Sequence, residues 1–240
     1  MTIAIERDDR VVTVRMTDAA TANALGHDTV AALEAAFAEL GRDARIHAIV
    51  LAGLPDVFSS GASRDVIDDL VTGRRHTGEL DLPRILLGCP VPCIAAMAGY
   101  AIGGGFALGI AADIIVLGDE SRYTVNFLDL GFTPGMGTTA LLEHVLSPAI
   151  AHELLFTGEA RRGRDFARTG VNHVLPRAEV EARAHDLAAR IADKPREAVV
   201  ALKRTLSVSR RQAFELARTQ EALMHVASFA HLDHQRKQST

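Results

Sequence analysis

Hydrophobic and polar residues alternate in two short runs at the start of the chain. Residues 3–5 and residues 11–16 carry apolar side chains at alternate positions, and a charged stretch separates them, so they predict a β-hairpin. An alanine-rich amphipathic segment at residues 27–40 predicts a helix. Asn23 stands before it as a candidate N-cap, and Gly41 is where we expect the helix to end.

Three later runs are almost wholly apolar and have the length of a strand: residues 46–52, 91–97 and 114–117. Strands without alternation are typical of a sheet that is covered on both faces. Helical patterns lie between these runs, one ending near Gly88 and one over residues 106–112. Strand and helix in alternation predict an α/β fold with a parallel or mixed sheet.

From Pro134 onward the pattern is helical. We expect the strands to end by about Val174, so the chain divides into an α/β core, residues 1–175, and a C-terminal helical region, residues 176–240. The predicted helices of this part of the chain cover residues 138–145, 148–156, 162–168, 180–191, 195–206 and 210–231.

Three consecutive glycines at positions 103–105 stand between a predicted strand and a predicted helix. A dinucleotide fingerprint would need glycine in place of Leu108, and a phosphate-binding loop would need Lys in place of Phe106. Neither nucleotide site is expected. Two interpretations stay open: the glycines allow close helix packing, or they let a ligand reach the first N–H groups of the helix.

A second turn of small residues, Ser60-Gly61-Ala62, follows another predicted buried strand. If the two turns face each other, one backbone N–H from each could hold a single carbonyl oxygen. Paired donors of this kind stabilise an enolate or a tetrahedral oxyanion.

Composition narrows the class of protein. The 240 residues carry a net charge of −4 with no Trp and 2 Tyr, which argues against nucleic-acid binding. No apolar stretch approaches the ~18 residues of a membrane span, and the N-terminus lacks the apolar core of a signal peptide, so a cytoplasmic protein is expected. The 2 cysteines and the scattered histidines form no metal-ligand pattern, so no metal is expected.

Three long motifs, VFSSGAS, IAAMAGYAIGGGFALGIAADIIV and YTVNFLDLGFTPGMGTT, make the sequence similar to the crotonase (enoyl-CoA hydratase/isomerase) family over nearly its whole length. The resemblance implies a crotonase spiral core of ββα units with a C-terminal helical region. It also implies that the N–H groups of Ala62 and Gly104 are the two oxyanion donors. A homotrimer or a dimer of trimers, with C-terminal helices covering the active sites, is implied as well.

The chain departs from the family where its hydratases carry two glutamates. These positions hold Ala107 and Phe127, and neither side chain can activate water or deliver a proton. Hydration is therefore not expected. An oxyanion site in a more apolar pocket suits a reaction that forms an enolate by breaking another bond.

The stretch from Tyr123 to Gly137 resembles the decarboxylase of the HMG-CoA-synthase cassettes that install β-methyl branches in bacterial polyketides. That resemblance implies decarboxylation of a 3-methylglutaconyl thioester on an acyl carrier protein, through a dienolate held at the oxyanion site. The substrate would be carried on phosphopantetheine, with no other cofactor. Phe127 or Phe132 would form an apolar wall near the carboxylate and favour its loss as neutral CO2.

His225 is the candidate proton donor. It lies on the apolar side of a predicted helix, three residues after Ala222 and four before Phe229, and it matches the histidine that the decarboxylase subgroup uses. Without the resemblance, a hydrogen-bonded core or interface histidine is the favoured interpretation; with it, the proton donor is favoured.

Basic and polar partners for the substrate are harder to choose from sequence. Arg64 follows the first turn and could grip a carboxylate, or it could be a solvated helix charge. Asn126 could bind substrate or cap the next helix, and Asp113 is expected to be structural. Lesser candidates for the carboxylate partner are Arg74, Arg75 and His76. Contacts with the carrier protein could come from Lys203, Arg204, Arg210 and Arg211, although plain surface charges are the favoured interpretation of these four.

Two other functions fit the same residues. A crotonase-fold isomerase of acyl-thioester double bonds also needs an oxyanion site and one acid/base group. A catalytically silent binding or scaffold subunit would explain the missing glutamates, but it has no need of paired oxyanion donors.

Overall fold

The computed structural model describes residues 2–74 and 81–238, and it contains two β-sheets. The larger sheet has six strands in the order β1-β2-β3-β5-β7-β10, with β1 and β2 antiparallel and the others parallel. Its strands are β1 (Ile3–Asp8), β2 (Val11–Met16), β3 (Ala48–Ala52), β5 (Cys93–Met97), β7 (Ile114–Gly118) and β10 (His173–Leu175). The predicted hairpin and buried strands are confirmed.

The smaller sheet has four short strands: β4 (Val57–Ser59), β6 (Tyr100–Ile102), β8 (Arg122–Thr124) and β9 (Arg161–Arg162). The first three are parallel neighbours, and β9 pairs antiparallel with β8. Each long strand β3, β5 and β7 is followed by one short strand and then by a helix. The core therefore repeats a ββα unit three times, as the resemblance implied.

Eight α-helices complete the described chain. They are α1 (His27–Arg42), α2 (Arg64–Val71), α3 (Leu82–Gly88), α4 (Gly104–Ile110), α5 (Thr138–Val145), α6 (Pro148–Thr157), α7 (Arg177–Ala192) and α8 (Arg196–Gln238). Single-turn 3₁₀ helices occur at Leu128–Leu130 and Gly163–Phe166. In this part of the chain, no helix is both long enough and apolar enough to cross a membrane.

Helix α7 covers one face of the large sheet. Its buried residues Val180, Ala184, Ala188 and Ala192 recur every four positions and pack on the sheet, so the helix continues the core beyond the predicted boundary at residue 175. Helix α8 packs against α2, α3 and α5 on the other side of the molecule. Its residues His225 and Phe229 lie beside the two glycine turns.

Three local predictions were wrong. Asn23 does not cap α1, whose N-cap is Gly26; its buried side-chain amide instead donates to the carbonyl oxygens of Met16 and Phe58. Residues 162–168 contain β9 and a 3₁₀ turn rather than an α-helix. The two helices predicted over residues 195–231 are one continuous helix, α8, because packing along its length overrides the polar stretch at its centre.

Lys203 and Arg210 are not surface charges. Lys203 is buried, and its ammonium group pairs with Asp113, which also accepts a hydrogen bond from the backbone N–H of Cys93 at 2.8 Å. The Arg210 guanidinium donates to three carbonyl groups at the C-terminal end of α4. These side chains hold α8 against the core, which agrees with a structural Asp113 and leaves neither basic group free for a partner.

Candidate active site

One cavity of about 250 Å³ lies where the two glycine turns meet the 126–136 segment and α8. Ala62 and Gly104 from the turns, Asn126, Phe127 and Phe132 from the segment, and His225 from α8 all line it. Six residues selected from distant parts of the sequence therefore surround one space.

The first turn presents the N–H of Ala62. Leu25 and Ala62 form a parallel β-bridge, whose two hydrogen bonds use the residues before and after Ala62. Leu25 N–H donates to Gly61 O at 2.8 Å, and Ser63 N–H donates to Leu25 O at 3.5 Å. Because peptide groups alternate in direction along an extended chain, the N–H and C=O of Ala62 itself point away from Leu25. No acceptor for this N–H occurs among residues 2–74 and 81–238.

The second turn presents the N–H of Gly104. Gly103 has φ +53° and fastens the turn by donating to Thr124 O at 2.8 Å, and the first bond of α4 runs from Ala107 N–H to Gly103 O. Gly104 is the first residue of α4, so its N–H has no acceptor within the helix. A Cβ built on Gly61 would lie 3.7 Å from Gly104 N, which shows that the two turns are in contact.

The glycine triplet combines both interpretations that the sequence left open. Gly103 provides the positive φ, and Gly104 lines the cavity. A Cβ on Gly105 would come within 2.7 Å of the backbone oxygen of Ser59, so this glycine allows α4 to pack on β4. Gly105 therefore allows close packing, and Gly104 lets a ligand in the cavity reach the backbone.

The walls of the cavity are apolar. The rings of Phe127 and Phe132 lie 6.1 Å apart, and Phe132 contacts Phe229 of α8 at 5.3 Å. Asn126 also lines the cavity, and its Oδ1 lies 3.4 Å from a Cβ position on Gly103. The N-cap of the following 3₁₀ turn is Phe127, not Asn126. None of the described lining residues is Lys, Arg, Asp or Glu.

His225 is the titratable group in this lining, and it is 4% exposed. Its Nε2 lies 2.8 Å from Thr133 O; since a carbonyl can only accept, Nε2 carries the hydrogen of the neutral ring. The ring stacks on Phe229 at 4.8 Å, and Nδ1 is buried without a hydrogen-bond partner in the described residues. Burial lowers the pKa of His225 below its ordinary value of 6.5, opposed by the bond to Thr133.

Two predicted substrate contacts lie outside the cavity lining. Arg64 is the first residue of α2 and its side chain is exposed. Ala107 is fully buried inside α4, and its methyl group is too short to extend from the helix to the cavity. Among the other basic candidates, Arg74 pairs with Asp69 at 2.7 Å, while Arg75 and His76 fall outside the described residues.

Sequence reasoning missed other residues of the site. Ile67 and Leu70 from α2 close one side of the cavity, and Gly135 and Met136 form part of its wall. The apolar positions of α2 could have indicated Ile67 and Leu70, because a helix that follows a turn of small residues packs its apolar face toward that turn. The backbone of Met136, with φ +61°, could not be anticipated, since a left-handed residue other than Gly is rare.

The core of three ββα units brings two glycine turns into contact, and each turn has an N–H without an acceptor in the described part of the chain. This fold and this site define the enoyl-CoA hydratase/isomerase class. Residues 6–240 match the family model described as enoyl-CoA hydratase/isomerase, and the chain belongs to this family.

Within this family, the chain is similar to decarboxylases of polyketide pathways. It is 37% identical to the bacillaene synthase decarboxylase PksI of Bacillus subtilis, over 95% of this chain and 92% of that protein. A solved structure from a dehydratase/decarboxylase enzyme couple involved in polyketide β-branching superposes with a TM-score of 0.93 at 36% identity, covering 97% and 96% of the two chains. The ECH2 decarboxylase domain of CurF from Lyngbya majuscula gives a TM-score of 0.89 at 32% identity, covering 100% and 99%.

These similarities confirm the predicted family and fold class. They favour a decarboxylase over the two alternatives, the double-bond isomerase and the silent scaffold. The site roles predicted for individual residues stay predictions. In the part of the chain that the structure describes, no cluster of three or more His, Cys, Asp or Glu side chains could hold a metal ion.

Proposed function

We propose that this protein decarboxylates a 3-methylglutaconyl-type thioester carried on an acyl carrier protein, in the β-branching of a polyketide. The observation that carries the proposal is a pair of N–H groups, from Ala62 and Gly104, that have no acceptor among the described residues. The described lining of their cavity contains no Lys, Arg, Asp or Glu, and His225 is its titratable side chain. The named decarboxylases to which the chain is similar support the same reaction.

The thioester carbonyl oxygen accepts hydrogen bonds from Ala62 and Gly104. Both donors are fixed by backbone structure, so they need no reorganisation when the oxygen becomes negative. Gly104 also begins α4, and the partial positive charge at a helix N-terminus adds to the stabilisation of an anion.

Carbon dioxide leaves from C4 of the substrate. The C4–carboxyl bond breaks, its electron pair forms a C3=C4 double bond, and the original C2=C3 pair moves to C2 and the carbonyl carbon, which gives a dienolate. The aromatic wall of Phe127 and Phe132 offers no counter-charge to the carboxylate. Loss of CO2 removes charge from this apolar end of the cavity and moves it to the oxyanion donors.

His225 supplies the proton that C4 receives. The negative substrate favours the imidazolium form and so opposes the effect of burial on the pKa of His225. Because Nε2–H is held by Thr133 O, Nδ1 is the nitrogen that takes up and releases the proton. Protonation of C4 yields a 3-methylcrotonyl thioester, with one proton consumed for each CO2 released.

The remaining assignments follow from the same substrate. Asn126, whose Oδ1 lies beside Gly103, forms a hydrogen bond with the substrate through its side-chain amide. Phosphopantetheine on the carrier protein holds the thioester, and the reaction uses no other cofactor. The protein assembles as a homotrimer or a dimer of trimers, as the family resemblance implied.

Proline at position 104 tests the oxyanion site. Proline is tolerated at the first position of a helix but lacks the N–H, whereas alanine adds a similar Cβ and keeps the N–H. With a ¹³C-carboxyl-labelled 3-methylglutaconyl carrier protein, we expect Gly104→Pro to lower the rate of CO2 release about 10²- to 10³-fold relative to Gly104→Ala. Equal rates for the two variants, or no release by the unaltered protein above a no-enzyme control, would contradict the proposal.

A further inference from the structure

The segment of residues 133–139 is fastened to α8 at three successive positions of one helix face. His225 binds the carbonyl of Thr133, and Ser228 Oγ lies 3.1 Å from Thr133 Oγ1. One turn earlier on α8, Glu221 reaches the other end of the segment. The spacing of 221, 225 and 228 is that of neighbours along a helix face.

Glu221 is a buried carboxylate, 2% exposed, and both of its oxygens are used. Oε2 accepts from Gly137 N–H at 2.7 Å, and Oε1 accepts from Thr139 N–H at 3.0 Å and from Thr139 Oγ1–H at 2.7 Å. These N–H groups begin α5, so the carboxylate of α8 provides the cap that no residue of α5 supplies. Burial raises the pKa of Glu221, and the three donors oppose this shift.

Between the two ends, the 133–139 segment holds Met136 in a left-handed conformation with φ +61°. A methionine in this region is strained, and it persists only where contacts with its surroundings hold it there. The Met136 sulfur lies 2.9 Å from a Cβ position on Gly104, and a Cβ on Gly135 would lie 2.9 Å from Cε1 of His225. One short segment therefore contacts both an oxyanion donor and the candidate proton donor.

We propose that Glu221 is a positioning residue: its carboxylate holds the strained Met136 turn against Gly104 and keeps the Thr133 carbonyl in place for His225. Glu221 does not line the cavity and so acts through these residues. The inference rests on the proposed decarboxylation for its effect on rate, whereas its structural part stands on the contacts alone.

The test replaces Glu221 by Gln in the full-length chain and measures both the reaction and the turn. Gln keeps the shape of Glu but replaces one acceptor oxygen with an NH2 donor. This donor then faces the N–H or O–H donors of Gly137 and Thr139, so at least one hydrogen bond is lost. We expect kcat to fall on the order of tenfold with KM little changed, because a small displacement of reacting groups slows the reaction more than binding. The ¹³C-methyl NMR signal of Met136 is expected to shift.

Two further variants keep the test decisive. Thr139→Val removes one of the three hydrogen bonds and leaves the carboxylate, so a smaller loss of kcat and a smaller shift are expected even if Glu221→Gln does not fold. Glu215→Gln is the matched control, since Glu215 also ties α8 to another helix, through Arg84 of α3 at 2.5 Å, but it lies away from the cavity. We expect this control to leave kcat and the Met136 signal unchanged.

The inference is overturned if folded Glu221→Gln or Thr139→Val has the kcat and the Met136 signal of the unaltered protein and differs only in Tm. It is also overturned if Glu215→Gln produces the same changes. Failure of the proposed function is distinguished by the unaltered protein: no CO2 release would contradict the decarboxylase, while the Met136 signal would still report whether Glu221 holds the turn.

Discussion

At the level of single residues, the neighbours of His225 give its two ring nitrogens, Nε2 and Nδ1, different roles. Thr133 O fixes the hydrogen on Nε2, and the Phe229 ring covers the imidazole face, so Nδ1 is left without a partner in the described structure. A buried nitrogen without a hydrogen-bond partner costs stability, so a role for it is expected. Proton transfer to the dienolate is such a role.

Replacing His225 by Gln is expected to lower kcat about 10²- to 10⁴-fold, the usual contribution of a positioned acid or base. Gln can still donate to Thr133 O, so the cavity wall is expected to persist. Single-turnover rates of CO2 release measure the effect. A rate within a factor of about three of the unaltered protein would exclude His225 as the proton donor.

The pKa of His225 also makes a prediction about stability. Since burial lowers this pKa, the unfolded chain binds more protons than the folded one between the folded pKa and the ordinary value of 6.5. The contribution of the neutral, buried His225 to the free energy of unfolding is therefore fully present above pH 6.5. It decreases as the pH falls below 6.5, and it stops decreasing below the pKa of His225 in the folded protein. From about pH 7 to about pH 5, the free energy of unfolding is expected to fall more for the unaltered protein than for His225→Gln, as urea titrations would show. Parallel curves would contradict it.

Arg64 was predicted to grip the substrate carboxylate, and its exposed position outside the cavity lining changes that expectation. Arg64→Ala is now expected to leave kcat and KM for the loaded carrier protein nearly unchanged. A rise in KM of about tenfold or more would show that the side chain does bind substrate.

At the scale of elements, the site depends on close contact between α4 and the short strand β4. A Cβ on Gly105 would approach the backbone of Ser59 to 2.7 Å, and backbone cannot move away as the end of a flexible side chain can. This contact aligns the first residue of α4, Gly104, with the first turn. The geometry of the oxyanion site is thus a property of two packed elements.

Gly105→Ala is expected to lower the free energy of unfolding by about 1–3 kcal/mol, the usual effect of overpacking. Gly88→Ala at the end of α3 is the matched control, because nothing lies within 4 Å of a Cβ there and the residue is exposed. Urea denaturation compares the two. Equal stability of both variants would contradict tight packing of α4 on β4.

The sequence predicted long apolar strands and strongly amphipathic helices, because their hydrophobic periods are set by local geometry. It missed the second sheet, since β4, β6 and β8 have three residues each, too few for a period to emerge.

Ala62, Gly104 and His225 were found through the turns, the apolar helix face and the family motifs. Arg64 was misplaced because a side chain directly after a motif can face either solvent or cavity. Glu221 was overlooked because only the fold shows that its carboxylate faces another helix.

At the scale of the whole molecule, α8 carries apolar side chains that the single chain leaves exposed. Leu202 is 58% exposed, Leu206 65% and Leu223 71%. Exposed apolar side chains grouped along one helix are typical of surfaces that are buried between subunits. This feature favours contact between subunits through α8, which the proposed assembly requires.

Light scattering is expected to give a mass three or six times that of one chain. The double variant Leu202→Glu/Leu206→Glu is expected to give a smaller mass if this end of α8 lies between subunits, because burying two carboxylates without partners is strongly unfavourable. Arg204→Glu adds a carboxylate on the opposite side of α8 from Leu202, since successive residues turn by about 100°, and serves as the control with an unchanged mass expected. A monomeric unaltered protein would contradict the proposed assembly.

Decarboxylation itself is tested by the intact mass of a 3-methylglutaconyl carrier protein after incubation with the unaltered chain, beside a sample without enzyme. The decarboxylase predicts that the carrier loses the mass of one CO2 and then stays constant, with the thioester still attached. A gain of one water would show that the chain is a hydratase despite Ala107 and Phe127. An unchanged mass would contradict the decarboxylase and favour the isomerase or the scaffold.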